Sequence, residues 1–407
     1  MAELTLKLTG MAHGGSAVGK DARGRLTFVP FAIPGETVRV RLVSEKERFA
    51  QAVLVEVVRP APERVEPRCR HFGICGNCHF QHVRYDAQPR LKRDVLADQM
   101  ARVGGLRDAP VRPVVPSPAP YDTQREAELF LADEGGLGYW SPVERRIFRV
   151  EECPVLHPAL EEVLKGFDVD LPGLRKLTLR LGDEDELLAA LEVDDVEPPE
   201  LAVDFPISVA IVLPDETAAS LIGDPFLVQT IKGRPFRFSP GVAYPAHPAA
   251  AEALVDAVLS AANLRGHETV LEVPAGAGVF TAFLAERAAA VLAVEPNPDA
   301  VGDAVVNLDA FDAISLYEAE PADVLPGLEA EPDVAVLHLG DALDPAVEAA
   351  LARLRPKRVV VTAEAGPLAR AAKPLARLGY RLRSVQPVDA RPQGFWVAAV
   401  GVWELGV

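Results

Sequence analysis

The chain has 407 residues, 49% of them hydrophobic and 25% charged, with a formal net charge of −17. At roughly 100–200 residues per domain that length allows two to four domains, and the apolar share is ample for several cores. No uninterrupted apolar run reaches the ~18–20 residues of a membrane span. The start M-A-E-L-T-L-K has neither the basic nor the apolar region of an export signal, so a cytoplasmic chain without a membrane partner is expected.

The acidic total hides an asymmetry. Residues 1–112 hold 19 Lys/Arg against 12 Asp/Glu, a net of +7; the remainder holds 23 against 47, a net of −24. A basic N-terminal third on an acidic body fits a phosphate-binding footprint confined to one module, beside the plainer reading of ordinary solvated charge.

In chain order, residues 1–59 alternate apolar and polar as L-T-L-K-L, R-L-T-F-V-P, E-T-V-R-V-R-L-V and F-A-Q-A-V-L-V-E-V-V, separated by Gly, Asp and Pro turns. Short strands so closely spaced predict an OB-like β-barrel, an architecture often used on oligonucleotides. The second block, 60–240, is expected to be a mixed α+β domain. It opens with C-R-H-F-G-I-C-G-N-C, which crowds Cys69, Cys75 and Cys78 into ten residues; Cys153 follows in E-E-C-P-V-L-H-P, and there is no fifth cysteine. In a cytosolic chain this spacing points to a metal or cluster rather than to disulfides. Sulfur-only ligation with an irregular gap leans toward iron–sulfur over zinc, and spacing alone leaves both open.

P-V-R-P-V-V-P-S-P-A-P at 110–120 reads as a stiff extended connector, with D-E-D-E and V-D-D-V-E-P-P-E as solvated loops further on. From about residue 245 helix and strand signals alternate, predicting a Rossmann-like parallel sheet over 241–407. A-A-A-E-A-L-V-D-A-V-L-S-A-A-N-L, with Glu252 and Asp256 on its polar face, is an amphipathic helix. E-T-V-L-E-V-P-A-G-A-G-V-F-T-A-F-L-A then reads as strand, turn and helix. Gly276 and Gly278 would let the backbone approach a ligand at the sheet's carboxyl edge, and Glu295, ending the next strand, could bond ribose hydroxyls. No third glycine stands near Phe280 or Thr281, so the adenosine of S-adenosylmethionine suits the turn better than a pyrophosphate.

Taken together, these landmarks resemble the RNA uridine-5 methyltransferases of the RumA/TrmA type. L-T-G-M-A-H-G-G-S-A-V-G-K with R-L-T-F-V-P-F-A-I-P-G-E-T-V-R-V-R is similar to their TRAM domain. The cysteine group resembles their 4Fe–4S site, and G-L-G-Y-W-S, L-A-R-A-A-K-P-L-A-R-L-G-Y-R-L and V-D-A-R-P-Q also match. The resemblance implies a TRAM barrel, a cluster-bearing central domain and a class I methyltransferase domain. It implies S-adenosylmethionine and a 4Fe–4S cluster held by Cys69, Cys75, Cys78 and Cys153 as cofactors. Ribosomal or transfer RNA is the implied partner, and no obligate protein partner is evident. In that family a cysteine adds to carbon 6 of uridine so that carbon 5 can take the methyl group, and a glutamate then removes the carbon 5 proton.

Carried over residue by residue, that chemistry has no residues here. The nucleophile falls on Ala363 and the base on Ala398, with Trp396 at the preceding histidine position. The Asp-Pro-Pro-Arg segment falls on Leu337 to Gly340 and the Phe-Gln-x-Asn segment on Tyr244 to His247. His338, Asp341, His247 and Glu364 are the polar residues left near the same cleft; a hydroxyl nucleophile such as Thr362 would need a strong adjacent base, and the sequence shows none beside it. Three outcomes compete: an RNA-binding member unable to make 5-methyluridine by the usual route and with no catalytic residue of its own, a methyltransferase acting on another atom without a thiol, and an iron–sulfur redox or sensor protein.

Overall fold

The computed structural model describes residues 3–133, 135–166, 173–193, 205–213 and 218–406. Of the acidic loop expected at 193–200, only Val193 lies among them. Five strands, Glu3–Met11, Ala17–Lys20, Leu26–Val29, Thr37–Glu45 and Phe49–Arg59, form a closed barrel. Period-two alternation makes it: Val38, Val40 and Leu42 are buried while Arg39 and Arg41 between them face out. Each fully buried Val or Leu contributes roughly 1.5–3 kcal/mol. Closure comes from Phe49–Arg59, which pairs parallel to Leu26–Val29 and antiparallel to Thr37–Glu45, leaving no free edge.

The middle of the chain forms a seven-stranded sheet ordered Ala218–Ile222, Ser208–Val212, Leu187–Val193, Leu174–Leu181, Glu126–Leu131, Leu137–Ser141 and Arg146–Arg149. A hairpin, Leu227–Ile231 with Arg234–Phe238, follows it and sends Ile231, Phe236 and Phe238 into the core of the C-terminal domain. The helix Gln88–Arg102 ties the barrel to that domain. Its Leu91 and Val95 pack into the barrel core, and its Leu96 and Met100 into the C-terminal core. Between those two faces Lys92, fully buried, meets Asp389, also fully buried, at 2.5 Å.

The last block is a second seven-stranded sheet, ordered Ile314–Glu318, Ala290–Glu295, Thr269–Val273, Val334–Leu339, Arg358–Glu364, Ala398–Leu405 and Tyr380–Val388. The first five pair in parallel; Ala398–Leu405 runs antiparallel to both neighbours. Their near-continuous Val, Ala and Leu runs are what a sheet covered by helices on both faces requires. The Pro-rich connector bridges this sheet's edge through Val111 to Val385 and Val115 to Val388. Among the described residues no helix is long and apolar enough to cross a membrane.

Candidate functional site

The strand Thr269–Val273 ends in a turn that reaches Gly278, the N-cap of the helix Val279–Ala285. Gly276 (φ 57°) and Gly278 (φ 83°) are both left-handed, the conformation glycine adopts without a Cβ penalty. A Cβ on Gly276 would meet nothing within 4 Å, whereas one on Gly278 would strike Leu308 at 2.9 Å. The first glycine therefore faces open space and the second fits helix to core. Glu295, 4% exposed, accepts from the amides of Gly276 at 2.7 Å and Asn297 at 2.8 Å. Burial pushes its carboxyl up, against those two amides that pull it down.

That turn opens on an apolar cleft of about 470 Å³ at the carboxyl ends of the strands, where open α/β sheets bind ligands. The cleft wall includes Gly276, Phe280, Tyr244, His338, Ala363 and Ala398. The two alanines come from adjacent strands, with Ala398 opposite Glu364. The positions carried over from the family thus converge on one cavity, and both are methyl groups. Asp341 lies outside, exposed and paired with Arg370. Glu364 is exposed at the start of the helix Ala365–Arg377. His247 does not face the cleft as expected: it caps the helix Pro248–Ala262, and its Nε2 meets Ser117 Oγ at 2.7 Å.

Thr362 is different. Where the sequence shows no base beside it, the parallel pairing of Val334–Leu339 with Arg358–Glu364 sets His338 opposite Thr362. His338 Nδ1 lies 2.5 Å from Thr362 Oγ1, and its Nε2 lies 3.0 Å from Glu272 Oε1. Phe280 stacks on the imidazole, with centroids 4.6 Å apart and planes at 27°. Glu272 is fully buried, and its other oxygen, Oε2, has no partner in the protein. An unsatisfied buried acceptor costs about 1–3 kcal/mol. Sequence reading passed over Glu272; its signal was a lone carboxylate inside V-L-E-V, a strand that should be apolar on both faces.

The four cysteines form a second centre. Cys69, Cys75, Cys78 and Cys153 line one small cavity together with Tyr139 and Glu152, and all are free thiols. Contacts of Arg70 with Glu151 and Glu152 bring the distant Cys153 to the others: the Arg70 amide donates to the Glu152 carboxylate at 2.8 Å, and the Arg70 side chain pairs with Glu151 at 3.0 Å. Asn77 N–H lies 3.5 Å from Cys75 Sγ, and Tyr139 Oη 4.0 Å from Cys153 Sγ. Burial pushes every thiol up, Cys75 to about 11 and Cys153 to about 12. Among the described residues no three His, Cys, Asp or Glu side chains converge at single-ion distance.

An aromatic seam joins the barrel and this cysteine segment to the C-terminal loop. Phe395 and Trp396 are stacked with centroids 4.4 Å apart, His79 meets Phe395 at 4.7 Å, and His13 of the barrel meets Phe395 at 5.3 Å. The Arg391 guanidinium lies over Trp396 at 5.4 Å. Gln393 accepts from the amides of His79 and Phe80 and bonds Gln88, so the loop that would carry the family's base is sewn to the cysteine segment.

A closed five-stranded barrel followed by this sheet order, with a glycine turn after the strand Thr269–Val273, defines a TRAM barrel joined to a methyltransferase fold. The TRAM domain family matches residues 2–55. An uncharacterized RNA methyltransferase of Halalkalibacterium halodurans is 28% identical over 97% of this chain and 95% of its own length. The 23S rRNA (uracil(1939)-C(5))-methyltransferase RlmD of Shewanella sediminis is 27% identical over 99% and 96%. Over nearly all of its 407 residues the chain is thus similar to RNA methyltransferases, a uracil-C5 enzyme among them. The fold matches a Pyrococcus abyssi tRNA (uracil-54, C5)-methyltransferase, solved with S-adenosyl-L-homocysteine, at a TM-score of 0.71 and 22% identity over 97% of this chain and 99% of that one.

Proposed function

We propose that this chain binds RNA and S-adenosylmethionine on the frame of a uracil-C5 RNA methyltransferase and does not make 5-methyluridine by cysteine addition. One observation carries the reading: Ala363 and Ala398 face the cleft beside Gly276, while all four thiols line another cavity. Carbon 5 of uracil is a poor nucleophile until a thiolate adds at carbon 6, and no sulfur is available there.

Retention of the cofactor is supported by the open space over Gly276 and by Glu295 behind it. Glu295 spends one lone pair on each of two amides and keeps acceptor capacity for ribose hydroxyls. The bound cofactor would supply an electrophilic methyl group to the cleft. Cys69, Cys75, Cys78 and Cys153 would hold a four-iron cluster. The donor set fits: it is all sulfur and lines a single cavity. The net charge of +7 over residues 1–112 and the aromatic seam against the barrel support an RNA surface on that side.

Anaerobically purified protein, labelled S-adenosylmethionine and RNA from cells lacking the gene test this directly. Equilibrium dialysis is expected to show cofactor binding, and nucleoside analysis to show no labelled 5-methyluridine. Labelled 5-methyluridine would overturn the reading.

A further inference from the structure

The cleft that lacks a thiol is not chemically empty. We propose that Glu272, His338 and Thr362 form a proton-accepting relay that lets it methylate an N–H or O–H group of RNA in place of a uracil carbon. The proposal rests on the functional reading above, because it takes S-adenosylmethionine as the methyl donor.

The hydrogen-bond chain runs across three neighbouring parallel strands near their carboxyl ends: Glu272 Oε1 to His338 Nε2 at 3.0 Å, then His338 Nδ1 to Thr362 Oγ1 at 2.5 Å. Its direction follows from its buried end. In the proposed relay Glu272 accepts the Nε2–H, which leaves a lone pair on Nδ1. Thr362 then donates its O–H to that lone pair, and its oxygen turns toward the cleft as an acceptor. This is the logic by which a buried carboxylate sets the tautomer of a histidine that serves a hydroxyl. Phe280, stacked on the ring, holds its plane.

Position ties the relay to methyl transfer. Thr362 and His338 line the same cleft as Gly276, and Thr362 is the neighbour of Ala363, where the family's nucleophile would stand. A nitrogen or oxygen needs no covalent activation because it carries its own lone pair. It also carries a proton that must leave, and an apolar cleft offers little water to take it. The substrate proton passes to Thr362 Oγ1 as the Thr362 proton passes to His338 Nδ1. The substrate lone pair bonds to the methyl carbon, the methyl carbon–sulfur bond breaks with its electrons left on sulfur, and the imidazolium faces Glu272. The unpartnered Glu272 Oε2 fits a carboxylate kept for charge rather than for structure.

Two measurements test the relay on the full-length chain. In nitrogen-15 histidine NMR of the cofactor-free protein, His338 is expected to carry its proton on Nε2 and none on Nδ1, and Thr362→Val should move the Nδ1 resonance alone. A proton on Nδ1 would overturn the proposal, because no basic lone pair would face Thr362. In the labelling assay, the native chain should place label in a nucleoside other than 5-methyluridine. At saturating cofactor, Thr362→Val and His338→Gln should each lower that yield by about 100-fold, and Thr362→Ser should restore most of it. Native-level transfer by Thr362→Val would show that the contact is structural. Cofactor binding without any labelled nucleoside would defeat the relay alone; absence of cofactor binding would defeat both readings.

Discussion

The cysteine cavity and the apolar cleft at the strand ends differ in what lines them. The first gathers all four cysteines of the chain, drawn from segments more than seventy residues apart and clasped through Arg70. The second has the left-handed glycine turn, the strand order and the acidic strand end, and carries the methyl groups of Ala363 and Ala398 on its wall. The contrast separates two uses of sulfur. As a ligand it is coupled to folding and every copy counts. As a nucleophile it serves one reaction, and the fold stands without it.

The largest effect should come from the sulfur side. On the proposed cluster, Cys78→Ser would remove one ligand of four, and with it iron content, visible absorbance and stability comparable with the ~5–15 kcal/mol that holds a whole domain. Iron analysis and chemical denaturation of the anaerobic protein check this; full iron with unchanged absorbance would dissolve the contrast.

Next is the tie between the helix Gln88–Arg102 and the C-terminal loop. Lys92→Met strands Asp389 as an uncompensated buried charge and should cost about 3–5 kcal/mol. Replacing both partners with apolar residues should recover much of that loss in a denaturant titration. An unaltered midpoint in Lys92→Met would mean that the pair does not hold the C-terminal loop to the helix Gln88–Arg102.

A third effect, smaller, depends on pH. Burial raises the thiols of Cys75 to about 11 and Cys153 to about 12. Groups whose pKa rises on folding stabilise the fold below their unfolded value, near 8.5, and lose that contribution as pH climbs through the folded one. Cluster-free protein should therefore lose stability between about pH 9 and 12 more steeply than loaded protein, whose thiolates are already committed. Parallel melting curves would place the cysteines outside the site.

The smallest perturbation of structure is Ala363→Cys, which adds one sulfur atom to a half-buried cleft position. It should leave the melting temperature nearly unchanged and yet provide the covalent chemistry that the native cleft lacks.

Much of this was legible in the residues. Period-two alternation revealed the barrel strands because each has one wet face and one dry face. The C-R-H-F-G-I-C-G-N-C group and the A-G-A-G turn were legible because their chemistry depends on local spacing. The relay was not. Glu272, His338 and Thr362 lie 66 and 24 residues apart, and only the strand order, which places Val334–Leu339 between Thr269–Val273 and Arg358–Glu364, makes them neighbours. His247 misled for the same reason. It lies beside Tyr244 to Ala246 in sequence, yet its ring turns away from the cleft to cap a helix and meet Ser117.

The central claim, that no thiol attacks the pyrimidine, is tested most directly by covalent trapping. RNA carrying 5-fluorouridine blocks the final elimination, because fluorine cannot leave as a proton does, so an enzyme that adds a cysteine to carbon 6 stays bonded to its substrate. Intact-mass spectrometry of the native chain with this RNA and S-adenosylmethionine is predicted to show unmodified protein, with the adduct appearing in Ala363→Cys. A native protein–RNA adduct mapped to Cys69, Cys75, Cys78 or Cys153 would contradict the account.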